Sequence, residues 1–168
     1  MQIKSFKDLP LTPEVLRSIK ELGFEALFPI QAQAINPLLE GKDVIGQAQT
    51  GTGKTAAFGV PMVQRVNREV RGVQGLIVVP TRELALQVAD NMAKFAKYVK
   101  LKVLAVYGGE SINKQVHSLA KGVQIVVGTP GRLIDLMERR ILDLSAVRTV
   151  VLDEADRMLD MGFIEDIE

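Results

Sequence analysis

Five short apolar runs, rich in β-branched residues, recur along the chain: Val44-Ile45, Leu76-Ile77-Val78-Val79, Val103-Leu104-Ala105-Val106, Ile125-Val126-Val127 and Val150-Val151-Leu152. None alternates with polar positions, so each is predicted as a strand buried on both faces. Between the runs, residues 83–98 and 111–121 are predicted as amphipathic helices. Ahead of them, Thr12-Pro13-Glu14 offers a capping hydroxyl, a Pro at the first helical position and an acid in the first turn. Val15, Leu16, Ile19 and Leu22 follow at helical spacing, and Gly23 ends the helix. Pro29 opens a second helix and puts Gln31 in its first turn, with its side chain expected to project free. Such an alternation predicts an α/β fold, a parallel sheet with helices on both faces. Ligands of such sheets gather beyond the carboxyl ends of the strands. Every run here leads into a polar motif, so five motifs are predicted to share one rim.

Composition narrows the chemistry. The 168 residues fit one domain rather than two, and at 47% hydrophobic they suffice for a core. Cysteine is absent and His117 is the single histidine, which excludes disulfides, thiolate metal sites and histidine clusters. No apolar run is long enough for a bilayer, and residues 1–6 lack a signal-peptide pattern. This agrees with a cytoplasmic protein. The net charge of +1 provides no broad positive field. Arg65, Arg68 and Arg71, and Lys94, Lys97, Lys100 and Lys102, are read as solvated helix faces, as is His117.

The first run leads into Ala48-Gln49-Thr50-Gly51-Thr52-Gly53-Lys54-Thr55, the pattern of a phosphate-binding loop. Its glycines let the backbone wrap phosphate oxygens, and the helix that follows offers free N–H groups and partial positive charge. Lys54 is placed to reach the β- and γ-phosphates, and the Thr55 hydroxyl to ligate Mg²⁺. Ala48 stands where the general motif has its first Gly. The last run ends in Asp153-Glu154-Ala155-Asp156. Asp153, directly after an apolar strand, fits the Mg²⁺-binding carboxylate of such sites. Glu154 is expected on the other side of the strand end, where it orients or deprotonates a water. Alone, paired acids at a loop are ordinary surface charge; beside a phosphate loop they complete a sparse Mg²⁺–nucleotide site.

Residues 153–156 spell D-E-A-D. With the phosphate loop, Pro80-Thr81-Arg82-Glu83-Leu84, Gly108-Gly109 and Thr129-Pro130-Gly131-Arg132 in this order and spacing, the chain resembles the first RecA-like domain of DEAD-box ATP-dependent RNA helicases. The resemblance covers essentially the whole chain. Gly23-Phe24 and Ile30-Gln31 resemble that family's adenine-reading Q motif, and Phe6 falls where the family has an isolated upstream aromatic. Leu27 departs from the family, which usually has Pro there. The resemblance implies a flank with the Q motif over residues 1–36 and a RecA-like domain over 37–168. It implies ATP and Mg²⁺ as cofactors, held by Ala48, Gln49, Thr50, Gly51, Thr52, Gly53, Lys54 and Thr55. The Gln31 amide would donate and accept at once, matching N6 and N7 of adenine. Phe6 would stack on the base. Lys54, Asp153 and Glu154 would carry hydrolysis, and Asp156 would couple to a second domain.

The resemblance also places Pro80, Thr81, Arg82, Gly108, Gly109, Thr129, Pro130, Gly131 and Arg132 on an RNA backbone. Hydroxyls, glycine N–H groups and arginines at strand-to-helix junctions bind phosphate in their own right. Tyr107 is the one aromatic in these loops, so binding without sequence specificity is expected. The plain alternative makes Arg82 and Arg132 structural caps and ion-pair partners. RNA rather than DNA rests on the resemblance, because no residue marks a contact to the 2′-hydroxyl. Members of the family carry a second RecA-like domain with arginine fingers. This sequence ends after D-E-A-D and before the family's Ser-Ala-Thr motif, so it reads as an incomplete first domain with weak binding and little turnover of its own. A missing interior strand is expected to expose apolar surface and unpaired backbone groups. Two other readings stand beside this one: a phosphate-loop ATPase acting on DNA, and an ATP-dependent RNA clamp without catalysis.

Overall fold

A computed structural model describes residues 4–168. They form two compact units, one from the residues up to 66 with 91–100, the other from 67–90 with 101–168.

The first unit holds a 3-10 turn (Phe6–Asp8) and helices α1 (Pro13–Glu21), α2 (Pro29–Leu39) and α3 (Lys54–Arg65). The Thr12 backbone is extended as a cap requires, yet its hydroxyl makes no capping bond. Instead the Thr12 N–H donates to Gln64 Oε1 at 2.8 Å, tying the start of α1 to α3. Gly23 ends that helix region in the left-handed conformation, φ +77°. Helix α2 packs on α3, and Ile19, Ile35, Val60, Val63 and Met92 are buried beneath them. Gly59 permits the close approach: a Cβ there would stand 2.6 Å from Met92 Sδ.

The second unit is built on four parallel strands, β1 (Gly75–Val78), β2 (Val103–Val106), β3 (Ile125–Gly128) and β4 (Thr149–Leu152), in the order β2-β3-β1-β4. Helix α4 (Arg82–Phe95) leaves β1, α5 (Ile112–Ala120) joins β2 to β3, and α6 (Pro130–Glu138) leaves β3. Helices α7 (Ala155–Asp160) and α8 (Ile164–Ile167) follow β4. The two central strands, β1 and β3, are buried at every position, as unbroken apolar runs predict. Ile77 and Ile125 are fully buried. Replacing Ile77 with Ala should cost about 2–5 kcal/mol, read as a lower denaturant midpoint with an unchanged slope. An unchanged midpoint would contradict the burial.

The register puts Val106, Gly128, Val78 and Leu152 in one row at the carboxyl ends. One residue further, the N–H groups of Thr129, Val79 and Asp153 donate to carbonyls of Val106, Gly128 and Val78 at 3.0–3.1 Å. Four polar motifs therefore emerge side by side on one rim.

The fifth run does not join them. Residues 42–49 are irregular and Ile45 is fully exposed, so the expected strand at Val44-Ile45 is corrected to loop. Two apolar residues provide too few ladder positions to hold a strand without a neighbour, and no described strand pairs with them. Strand β4 forms a sheet edge, paired only with β1 among the described residues. Its Val150 and Leu152 are 58% and 43% exposed, so the expectation that every strand is buried on both faces is corrected at this edge, where one face of β4 is uncovered. No helix among the described residues is long and apolar enough to cross a membrane.

Candidate functional site

In the first unit the glycine-rich loop runs straight into α3, with Gly53 as its N-cap. Gly51 and Gly53 both have φ +78°, a conformation glycine adopts without a Cβ penalty. Lys54 and Thr55 are the first two residues of the helix, both half-buried. The opening N–H groups of any helix have no intrahelical acceptor and carry its positive pole. Thr52 Oγ1 donates to the Gln49 carbonyl and closes the turn, and Ala48 is half-buried at its start. The loop therefore presents backbone donors, one lysine and one hydroxyl, a donor set suited to phosphate.

Gln31 is not free as expected. It is 2% exposed. Its Oε1 accepts the Phe28 N–H at 3.0 Å, and its Nε2 donates to the Gly53 carbonyl at 3.1 Å. The same carbonyl accepts the Ala57 N–H at 3.1 Å. Gln31 thus ties the start of α2 to the phosphate loop. The physical reason is its place at the third position of α2, from which a glutamine reaches back to the N-cap.

Phe6 is also placed differently from its expected role on a base. Its ring is 2% exposed and lies against Phe24, with centroids 6.0 Å apart and planes at 27°. Phe24 in turn meets Phe95 at 6.3 Å. Phe6 belongs to this aromatic cluster and presents no open face. The exposed ring beside the loop is Phe28, 53% exposed, whose Cδ2 lies 3.0 Å from where a Cβ on Gly53 would stand. Sequence reasoning passed over it. The signal was an aromatic at the N-cap ahead of Pro29, where a cap acceptor would normally sit.

In the second unit, Asp153 and Glu154 follow β4 and open α7. Both are half-buried. Glu154 does not continue the strand's alternation: it takes the left-handed conformation, φ 53° and ψ 47°. A non-glycine residue held there stores strain, a feature that gathers at functional sites. Its Oε2 lies 3.3 Å from Arg157 Nη1, and exposed Asp156 accepts the Arg157 N–H at 2.9 Å.

Along the same rim, Thr81 Oγ1 accepts the Leu84 N–H at 3.3 Å and so caps α4, behind buried Pro80. Arg82, Gly108, Gly109 and Gly131 are exposed, Thr129 is half-buried as the N-cap of α6, and Pro130 is buried at its first position. Arg82 stands over the Tyr107 ring at 4.9 Å. Arg132 is half-buried and bonded to the neighbouring loop and helix. Its Nη1 donates to Gln115 Oε1 at 3.0 Å, and Nη1 and Nη2 donate to the Glu110 carbonyl at 3.4 and 3.3 Å. Gln115, 4% exposed, donates to the Tyr107 carbonyl at 3.1 Å. Tyr107, Glu110 and Gln115 knit these loops together, and sequence reasoning singled out only the first. Arg65, Arg68, Arg71, Lys94, Lys97, Lys100, Lys102 and His117 are all exposed.

The DEAD/DEAH box helicase family profile matches residues 28–168. The chain is 52% identical over 164 residues to a protein named DEAD-box ATP-dependent RNA helicase CshA from Bacillus cereus, covering 98% of this chain and 31% of that one. It is 54% identical to the protein of that name from Geobacillus kaustophilus, covering 98% and 35%. It thus spans about a third of the length of these relatives. Among solved structures, a DEAD box protein from Methanococcus jannaschii aligns at TM-score 0.94 and 42% identity, over 99% of this chain and 46% of that one. A hypothetical ATP-dependent RNA helicase from Sulfolobus tokodaii aligns at TM-score 0.86 and 40% identity, over 94% and 45%. These matches, on a RecA-like parallel sheet whose rim carries the D-E-A-D sequence, establish that the chain belongs to the DEAD/DEAH box helicase family.

Proposed function

We propose that the protein is an ATP-dependent RNA helicase, in which RNA-stimulated ATP hydrolysis drives local separation of RNA strands. The observation that carries this reading is the phosphate loop, two left-handed glycines delivering Lys54 and Thr55 to the positive end of α3. The names of relatives more than half identical support it.

In this reading the backbone of residues 48–53 and Lys54 hold the ATP phosphates. The oxygen donors of Thr55 and Asp153 suit Mg²⁺, a hard cation that binds one or two carboxylates and takes its remaining ligands from phosphate and water. When bound, Mg²⁺ neutralises charge on the phosphate oxygens. Glu154 orients the attacking water and takes its proton. Gln31 reads the adenine edge with the lone pair and N–H that its two bonds leave over. Thr81, Arg82, Gly108, Gly109, Thr129 and Gly131 hold an RNA backbone without reading its sequence, and Arg132 shapes that surface. A second RecA-like domain supplies arginine fingers and meets Asp156. The 168-residue chain alone binds nucleotide and RNA weakly and turns over little, because an arginine finger is worth about 10³–10⁵ in rate. The site of action is the cytoplasm.

The test uses the full-length protein and a short RNA duplex with a single-stranded tail. Strand separation should require ATP and disappear in Lys54→Ala. Separation without nucleotide, or equal action on a DNA duplex, would sink the reading.

A further inference from the structure

The rim carries donors for phosphate, and an acid stands directly beside its glycine pair. Arg82, the exposed Gly108 and Gly109, and the helix start at Thr129 all suit phosphate. Glu110, next in the chain after Gly109, puts a carboxylate among them. An ionised carboxylate accepts only, and it repels phosphate.

This carboxylate is held in place from several sides. The Tyr107 hydroxyl donates to Oε2 at 2.5 Å, and Lys114 Nζ lies 3.7 Å from Oε1. The Glu110 carbonyl is gripped by Arg132, which is itself fixed by Gln115. Arg82 stacks on the same Tyr107 ring, and its Nη1 lies 3.8 Å from where a Cβ on Gly109 would stand. Cation and acid are therefore mounted together on one tyrosine. The Tyr107 hydrogen bond, then the charges of Lys114 and Arg82, hold the Glu110 carboxyl below its ordinary range, so it is an ionised acceptor at neutral pH. Its side chain keeps 32% exposure, and a carboxylate has about four lone-pair positions. Tyr107 and Lys114 engage one on each oxygen.

A nucleic-acid backbone offers such an acceptor one partner. Phosphate and ring oxygens only accept, whereas a ribose 2′-hydroxyl donates, and deoxyribose lacks it. We propose that Glu110 is a specificity residue for RNA, its carboxylate accepting a hydrogen bond from a 2′-hydroxyl while Arg82 and the neighbouring N–H groups hold the adjoining phosphates. This rests on the RNA-binding reading above and names the group by which that surface selects its substrate.

The experiment measures binding of single-stranded RNA and DNA of one sequence to the full-length protein by fluorescence anisotropy. Wild type should favour RNA. Glu110→Ala should lower the RNA-to-DNA affinity ratio on the order of tenfold, chiefly by weakening RNA, the loss of one hydrogen bond to a charged group. Glu110→Gln keeps an acceptor oxygen and should retain more of the ratio than Ala. Arg82→Ala should weaken both strands alike. If Glu110 only repels phosphate or only braces Tyr107, Glu110→Ala moves RNA and DNA together. An unchanged ratio in a protein that still prefers RNA therefore overturns the role of Glu110 and leaves RNA binding standing. A wild-type protein that binds neither strand overturns both.

Discussion

Glu154→Gln should lower ATP turnover by about 10²–10⁴, the usual worth of a general base, while nucleotide binding persists. Glutamine has the size of glutamate and can occupy the same turn, at φ 53° and ψ 47°. It can also accept from Arg157, which lies 3.3 Å from Glu154 Oε2. What it cannot do is take a proton. Single-turnover hydrolysis with bound ATP separates the chemical step from binding. A Gln variant that turns over at the wild-type rate would remove Glu154 from the chemistry. It would also leave its strained backbone without a catalytic purpose.

Gly53→Ala should weaken nucleotide binding on the order of 10²-fold, more than Gly51→Ala. Both glycines have φ +78°, so both variants carry the left-handed penalty of roughly 1–2 kcal/mol. Only Gly53 is crowded. Its Cβ would stand 2.2 Å from Gln31 Nε2, whereas a Cβ on Gly51 meets nothing within 4 Å. Accommodating it breaks the Gln31–Gly53 bond, worth about 0.5–1.5 kcal/mol, and pushes the phosphate loop off the start of α2. The pair thus separates backbone strain from loss of the tether. Equal losses in titrations with ADP would mean that the Gln31 contact does not hold the loop.

The sheet was legible because β1 and β3 are continuous apolar runs, the pattern of strands covered on both faces. The rim was legible for the same reason: parallel strands in register must end together. The Val44-Ile45 run misled because composition marks a preference for extended structure, while a strand also needs a neighbour. The surroundings of Phe6 and Gln31 were not legible. Their spacing suggested a nucleotide site, but spacing does not reveal that Phe24 covers one ring or that Phe28 and Gly53 engage one amide. Glu154 carried no sequence signal for a positive φ, which its turn into α7 imposes. Glu110 and Gln115 lie outside every short motif, and only the folded loops bring them to Arg132.

ATP turnover by the full-length protein, with and without single-stranded RNA, tests the central claim most directly. The account predicts slow turnover alone and a rate that rises with RNA to saturation. Turnover at one rate with and without RNA would contradict it, since phosphate loop and rim would then belong to an ATPase that takes no signal from RNA.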